Sequence, residues 1–130
     1  MKIKTELMEK MRSHARRSYP IEACGYLASK EGVVVELYEM ENIDNSSEHF
    51  SFDKDEQIRA YLDSKSKGLT LSGVYHSHPY TPARPSTEDI ELAYDKHFSY
   101  IIVSLAEEEI VIRSFKIVNK TVTQEQIEEI

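Results

Sequence analysis

Three of the four prolines in this 130-residue chain, Pro79, Pro82 and Pro85, are packed into one short stretch. Proline fixes φ and has no N–H for a β ladder, so a strand that reaches this stretch must end there. Leu69 to His78, immediately before it, reads as such a strand. Pro79 to Pro85 follows as a stiff loop, and Ser86 opens a helix predicted to run to about Asp95. Whatever the rest of the chain does, it has to accommodate a strand that ends at His78.

The neighbouring segments supply the accommodation. Leu7, Met8, Met11 and Ala15 recur at helical spacing, which predicts a helix from about Lys4 to Ser18, ended by Pro20. Ala23 to Ala28 is a short apolar run that fits a buried strand. Lys30-Glu31-Gly32 is a turn and Val33 to Met40 a second strand, so the pair reads as a hairpin. Asn42 to Ser51 is polar and irregular. Asp53 followed by Glu56 predicts a capped helix to about Ser64, with Ile58 and Leu62 as its inward pair, and Gly68 closes it. Tyr100 to Leu105 and Ile110 to Val118 are further strands, joined by a turn at Glu107-Glu108-Glu109. Gln124 to Ile130 is open between helix, strand and tail. Helices and strands that alternate in this way predict an α/β (α+β) fold, a mixed central β-sheet flanked by helices.

Length and charge narrow the class. A chain of 130 residues is the size of one domain, 1–130, and can bury roughly two-thirds of its unfolded surface. It carries 16 basic and 23 acidic residues, a net charge of −7. A net anion is not drawn to a phosphate backbone or an anionic bilayer, so neither nucleic acid nor membrane is the expected partner. The longest apolar runs are three or four residues, far short of the roughly 18 needed for a membrane helix. The N-terminus is charged, with no apolar leader core. Cys24 is the sole cysteine, so no disulfide scaffold exists, and the cytoplasm is the expected compartment.

The chemistry-bearing residues sit around the proline loop, in His76-Ser77-His78-Pro79 and Ser86-Thr87-Glu88-Asp89. Strand side chains alternate, so His76 and His78 face the same way at the strand's end and can share one metal ion. Asp89 lies in the first turn of the following helix, where a loop plus one helical turn can return its carboxylate to the strand end. Two histidines and one carboxylate are a common protein contribution to a catalytic zinc, with the fourth position left for water. Ser86-x-x-Asp89 also reads as a capping box, and the two roles are compatible. His14, His49 and His97 have no partner at metal-ligand spacing and read as surface or helix-end residues. Tyr80 sits in the loop beside the site, within reach of a substrate.

The stretch H-S-H-P-x₆-S-x-x-D, with Pro20-Ile21-Glu22-Ala23-Cys24-Gly25-Tyr26-Leu27 about 50 residues upstream, resembles the signature of the JAMM (MPN+) metalloproteases. The likeness extends over the whole chain in length and element order and is greatest to the small stand-alone prokaryotic members. It implies a three-layer architecture like that of JAMM proteins and cytidine deaminases. It also implies one Zn²⁺ per chain, held by His76, His78 and Asp89. Glu22 would take a proton from the attacking water and pass it to the leaving amine, and Ser86 would donate a hydrogen bond to the developing oxyanion. Cys24 would be a buried structural thiol rather than the nucleophile. The implied substrate is a peptide or isopeptide bond after the C-terminal Gly-Gly of a ubiquitin-like or sulfur-carrier protein.

Three other readings share some of these residues. RadC-like DNA-associated proteins carry a similar histidine pattern, but with an extra N-terminal region, and the charge of −7 opposes DNA. A zinc nucleoside deaminase needs a P-C-x-x-C that a lone cysteine cannot complete. A non-catalytic MPN binding module would have lost ligands that this chain retains.

Overall fold

The computed structural model describes residues 1–130. In chain order the elements are β1 (Lys2–Ile3), α1 (Thr5–Ser18), β2 (Cys24–Lys30), β3 (Val33–Met40), α2 (Lys54–Ser66) and β4 (Thr70–His78). They continue with α3 (Thr87–Glu91), β5 (Ser99–Ser104), β6 (Val111–Val118), β7 (Thr121–Glu125) and β8 (Glu128–Glu129). One mixed sheet has the order β7-β6-β5-β4-β2-β3-β1-β8. β4 is central, antiparallel to β2 and parallel to β5.

The two edges of this sheet are separated by very little chain. Only Gln126 and Ile127 lie between β7 and β8, three Cα steps that reach at most about 11 Å. Eight flat strands would hold their edges roughly 34 Å apart. The sheet therefore curls. At the far edge β8 is held to β1 by backbone bonds such as Glu128 N–H to Met1 O at 2.8 Å and Ile130 N–H to Ile3 O at 2.9 Å.

α1 covers one face. Leu7, Met8, Met11 and Ala15 pack with Leu27, Val34, Tyr75, Ile101 and Val103 in the main core. α2 covers part of the other face, where Ala60 meets Cys24 and Met40. Helix, sheet and helix thus form the three layers expected. The β2–β3 hairpin turns through Glu31 (φ 51°) and Gly32 (φ 80°), both left-handed, which matches strand twist. Gly25 is fixed by crowding rather than by φ, because a Cβ there would overlap the Tyr38 carbonyl oxygen and the Tyr75 ring.

Several expectations need correction. Ile58 and Leu62 are not the inward pair of α2; they are 51% and 56% exposed, and Ala60 and Ser64 are buried instead. Small residues let the helix lie close over Cys24 and Met40, and apolar bulk is left outside. Asp53 caps α2 by accepting from the Glu56 N–H at 3.0 Å. The Glu56 carboxylate accepts from the Glu41 N–H rather than completing the box. α3 stops at Glu91, short of Asp95. It buries no residue, and Asp95 is engaged by the Tyr100 hydroxyl and by the His97 N–H in a separate turn. His14 is not a surface residue. It is buried under α1 with its Nδ1 2.7 Å from the Tyr75 hydroxyl, and burial lowers its pKa. His49 is exposed, as expected, with its Nδ1 3.0 Å from the Asp44 carboxylate. No helix is long and apolar enough to cross a membrane.

Candidate metal centre

β4 delivers the two histidines. Tyr75 points to the α1 core and is fully buried there. The period of two then sends His76 and His78 to the opposite face, and both are buried. His76 is flanked across the sheet by Cys24 of β2 and Ile102 of β5. β4 ends at His78, and Pro79 follows.

α3 delivers the carboxylate. Ser86 is its N-cap, and the capping box is complete: the Asp89 N–H donates to Ser86 Oγ at 3.0 Å, and the Ser86 N–H donates to Asp89 Oδ2 at 2.9 Å. The same Oδ2 lies 3.2 Å from His76 Nε2 and 3.1 Å from His78 Nε2, and the two Nε2 atoms are 3.0 Å apart. One cluster is thus formed by residues 11 and 13 positions apart in sequence. A tetrahedral metal with bonds of 2.0–2.1 Å spaces its ligands about 3.3 Å apart. The trio nearly meets that spacing before any adjustment, and it is the group of metal-competent side chains that the fold brings together.

Ring orientation supports the same use. His78 Nδ1 is 2.9 Å from the Pro82 carbonyl, which can only accept. Nδ1 therefore carries a hydrogen, which leaves Nε2 as the nitrogen that would face a bound metal. The proline loop thus supplies the carbonyl that orients the His78 ring. Phe50 stacks on the His76 ring, with centroids 4.8 Å apart, and holds it in plane.

Electrostatics separate the two acids. Burial opposes the charge on Asp89, yet its bonds from His76, His78 and the Ser86 N–H outweigh that and hold its carboxyl well below the usual range. Glu22 is pushed the other way, up to about 9, first by burial and then by Asp89, Glu88 and Glu48. Its backbone is pinned: its N–H donates to Ser46 O, and its carbonyl accepts from the Asn42 amide. Glu22 precedes β2 rather than lying on it. It feels the field of Asp89 without joining the trio.

Ser86 is exposed at the cluster. Its oxygen accepts from Asp89, so its own hydrogen is free to donate outward. Cys24 is fully buried, its thiol 3.8 Å from the Met40 carbonyl, and burial foremost pushes it up to about 12. That is an inert thiol. Tyr80 is exposed beside His78 and meets Tyr19 edge-on, with ring centroids 5.6 Å apart.

Known proteins share this architecture. The family model for prokaryotic homologues of the JAB domain matches residues 4–118. The CysO-cysteine peptidase of Mycobacterium tuberculosis is 34% identical over 128 residues, covering 96% of this chain and 88% of that protein. The solution structure of DSY2949 from Desulfitobacterium hafniense superposes with a TM-score of 0.89 at 44% identity, over 98% of this chain and 91% of that one. AF2198, a JAB1/MPN domain protein from Archaeoglobus fulgidus, reaches a TM-score of 0.70 at 23% identity, over 100% and 97%, a likeness of fold alone. The chain belongs to the prokaryotic homologues of the JAB domain, the small JAMM hydrolases.

Proposed function

We propose that this protein is a zinc-dependent peptidase that hydrolyses the bond following the C-terminal Gly-Gly of a ubiquitin-like or sulfur-carrier protein. The observation that carries the reading is the convergence of His76, His78 and Asp89 within tetrahedral spacing at the open end of β4. Two nitrogen lone pairs and one carboxylate suit zinc. The 34% identity to a CysO-cysteine peptidase supports the substrate class, and a lone buried thiol suits the cytoplasm.

Zinc bound there supplies a Lewis acid that acidifies water and polarises a carbonyl. The remaining work falls to the chain. Glu22 takes one proton from the attacking water and returns it to the leaving nitrogen as the C–N bond breaks, giving a free acid and a free amine. Its raised pKa suits the delivery half of that cycle, and a cation in the trio pulls the carboxyl back toward the charged form that the first half requires. Ser86 donates its hydroxyl hydrogen to the developing oxyanion. Pro82 keeps His78 in its ligating tautomer.

The test combines metal content and turnover. Untagged wild-type protein, Glu22→Gln and His78→Ala are assayed for zinc per chain. Each is then incubated with a carrier protein fused through Gly-Gly to a reporter. The expected result is about one zinc in the wild type and in Glu22→Gln, none in His78→Ala, and cleavage by the wild type alone. Zinc-free wild type whose melting temperature ignores added zinc would support a binding module instead. A shift of duplex DNA at low salt would revive the RadC-like reading.

A further inference from the structure

A cavity of about 390 Å3 opens beside the trio, on the sheet face that carries His76. Its lining is largely aromatic and branched: Tyr26, Phe52, Phe98, Tyr100, Ile102 and Ile117 contribute. The size is at the low end for ligand pockets and ample for one large side chain. Glu88, Asp89 and Asp95 line it as well, and no lysine or arginine does.

Its position relative to the reacting groups is asymmetric. His76 and Asp89 line the cavity, whereas Glu22, His78 and Ser86 do not. Glu22 hands its proton to the leaving amine, so the amine side of the scissile bond lies toward Glu22. The acyl side would then extend away from Glu22, and the cavity lies against His76 and Asp89 on a flank of the trio that Glu22 does not line. An extended Gly-Gly spans roughly 7 Å. That length carries the chain past the trio and brings the next residue, the first with a side chain, to the cavity.

The geometry points to this cavity as the specificity pocket for the carrier's tail: it takes one large apolar side chain just upstream of Gly-Gly, in a tail that also bears a basic residue. The inference rests on the hydrolase reading above and adds to it a sequence requirement. Apolar fill selects the anchor, since a polar side chain would strip its own water without gaining a partner. The acidic rim selects the cation beside it, because opposite charge steers the tail and like charge repels it.

Two measurements on zinc-loaded protein test this. The first is kcat/KM of the wild type on Gly-Gly reporters whose preceding residue is Leu, Phe, Ser or Asp. The second is fluorescence-polarisation binding of the matching tail peptides to Glu22→Gln, which reads the pocket without turnover. Leu and Phe tails are expected to exceed Ser by about 10–200-fold, with Asp last. A neighbouring Arg should help at low salt only. Leu92 also lines the cavity, is 49% exposed and makes only backbone bonds. Leu92→Asp should collapse the Leu-to-Ser ratio while zinc content holds. Cleavage and binding indifferent to the upstream residue would overturn the pocket and leave the hydrolase standing. Selective binding with no cleavage by the wild type would overturn the hydrolase and leave the pocket standing.

Discussion

Glu22 and Asp89 show how one local environment drives two carboxyls in opposite directions. Asp89 gains charged-form hydrogen bonds from two imidazoles and a backbone N–H. Glu22 gains burial and acidic neighbours, and its carboxyl rises to about 9. The sign of the consequence is definite. A carboxyl whose folded pKa exceeds its unfolded value near 4.5 favours folding at low pH, and that contribution is lost as pH rises from about 4.5 to about 9. Metal-free wild type should therefore lose stability relative to metal-free Glu22→Gln across this window. Relative to pH 4, the variant should gain about 4–5 kcal/mol on the wild type by pH 8, read as melting temperature against pH in chelator. Parallel pH profiles would show that Glu22 is not held as the neutral acid. His14 and Tyr75 are another residue-scale pair, but their bond spans 61 positions. Local spacing has no access to such a partner, which is why His14 reads as surface from sequence and is core in the fold.

At the scale of elements, the site is one strand end and one helix start, and both were legible. A strand's period of two is rigid enough to place His76 and His78 together from sequence, and a capping box fixes Asp89 relative to Ser86 through two bonds. α2 was legible in its bounds and not in its face. Large apolar residues recur on its solvent side, while Ala60 and Ser64 make the close contact. Apolar bulk inside is only a one-way rule. The two-residue strands β1 and β8 carry no period at all, so only their pairing partners define them. The cap role of Ser86 and its proposed oxyanion role separate by substitution. Ser86→Ala removes cap and donor together, and should cost about 1 kcal/mol of stability and about 10²–10³ in kcat. Ser86→Asp keeps a cap acceptor and lacks the neutral hydroxyl donor, so stability should hold within a few tenths of a kcal/mol while the rate still falls. Full turnover by Ser86→Asp in a Gly-Gly reporter assay would remove Ser86 from the oxyanion role.

The whole molecule is built unevenly around its site. The α1 face of the curled sheet carries the main core, and the C-terminal strand β8 is tied to β1 by backbone bonds near both termini. The opposite face is thinner: α3 has five residues and buries none, well below the length at which a helix persists alone. What holds α3 against β4 is Asp89 with its two imidazoles, reinforced by Ile90 packing toward the Ala83–Ile102–Phe115–Ile117 cluster. Zinc should therefore be felt mostly here. A ligand that binds only the folded state adds about 4 kcal/mol at a free concentration of 1,000 times its Kd. Adding zinc to chelated protein should raise the melting temperature accordingly, and Asp89→Ala should abolish the shift. Hydrogen exchange should localise the effect: Ser86 to Leu92 gain protection with zinc, while amides of α1 and β5 beneath the main core change little. Uniform protection across both faces would mean that the metal stabilises the fold as a whole. The division into a stiff α1 layer and a metal-dependent α3 layer would then be wrong.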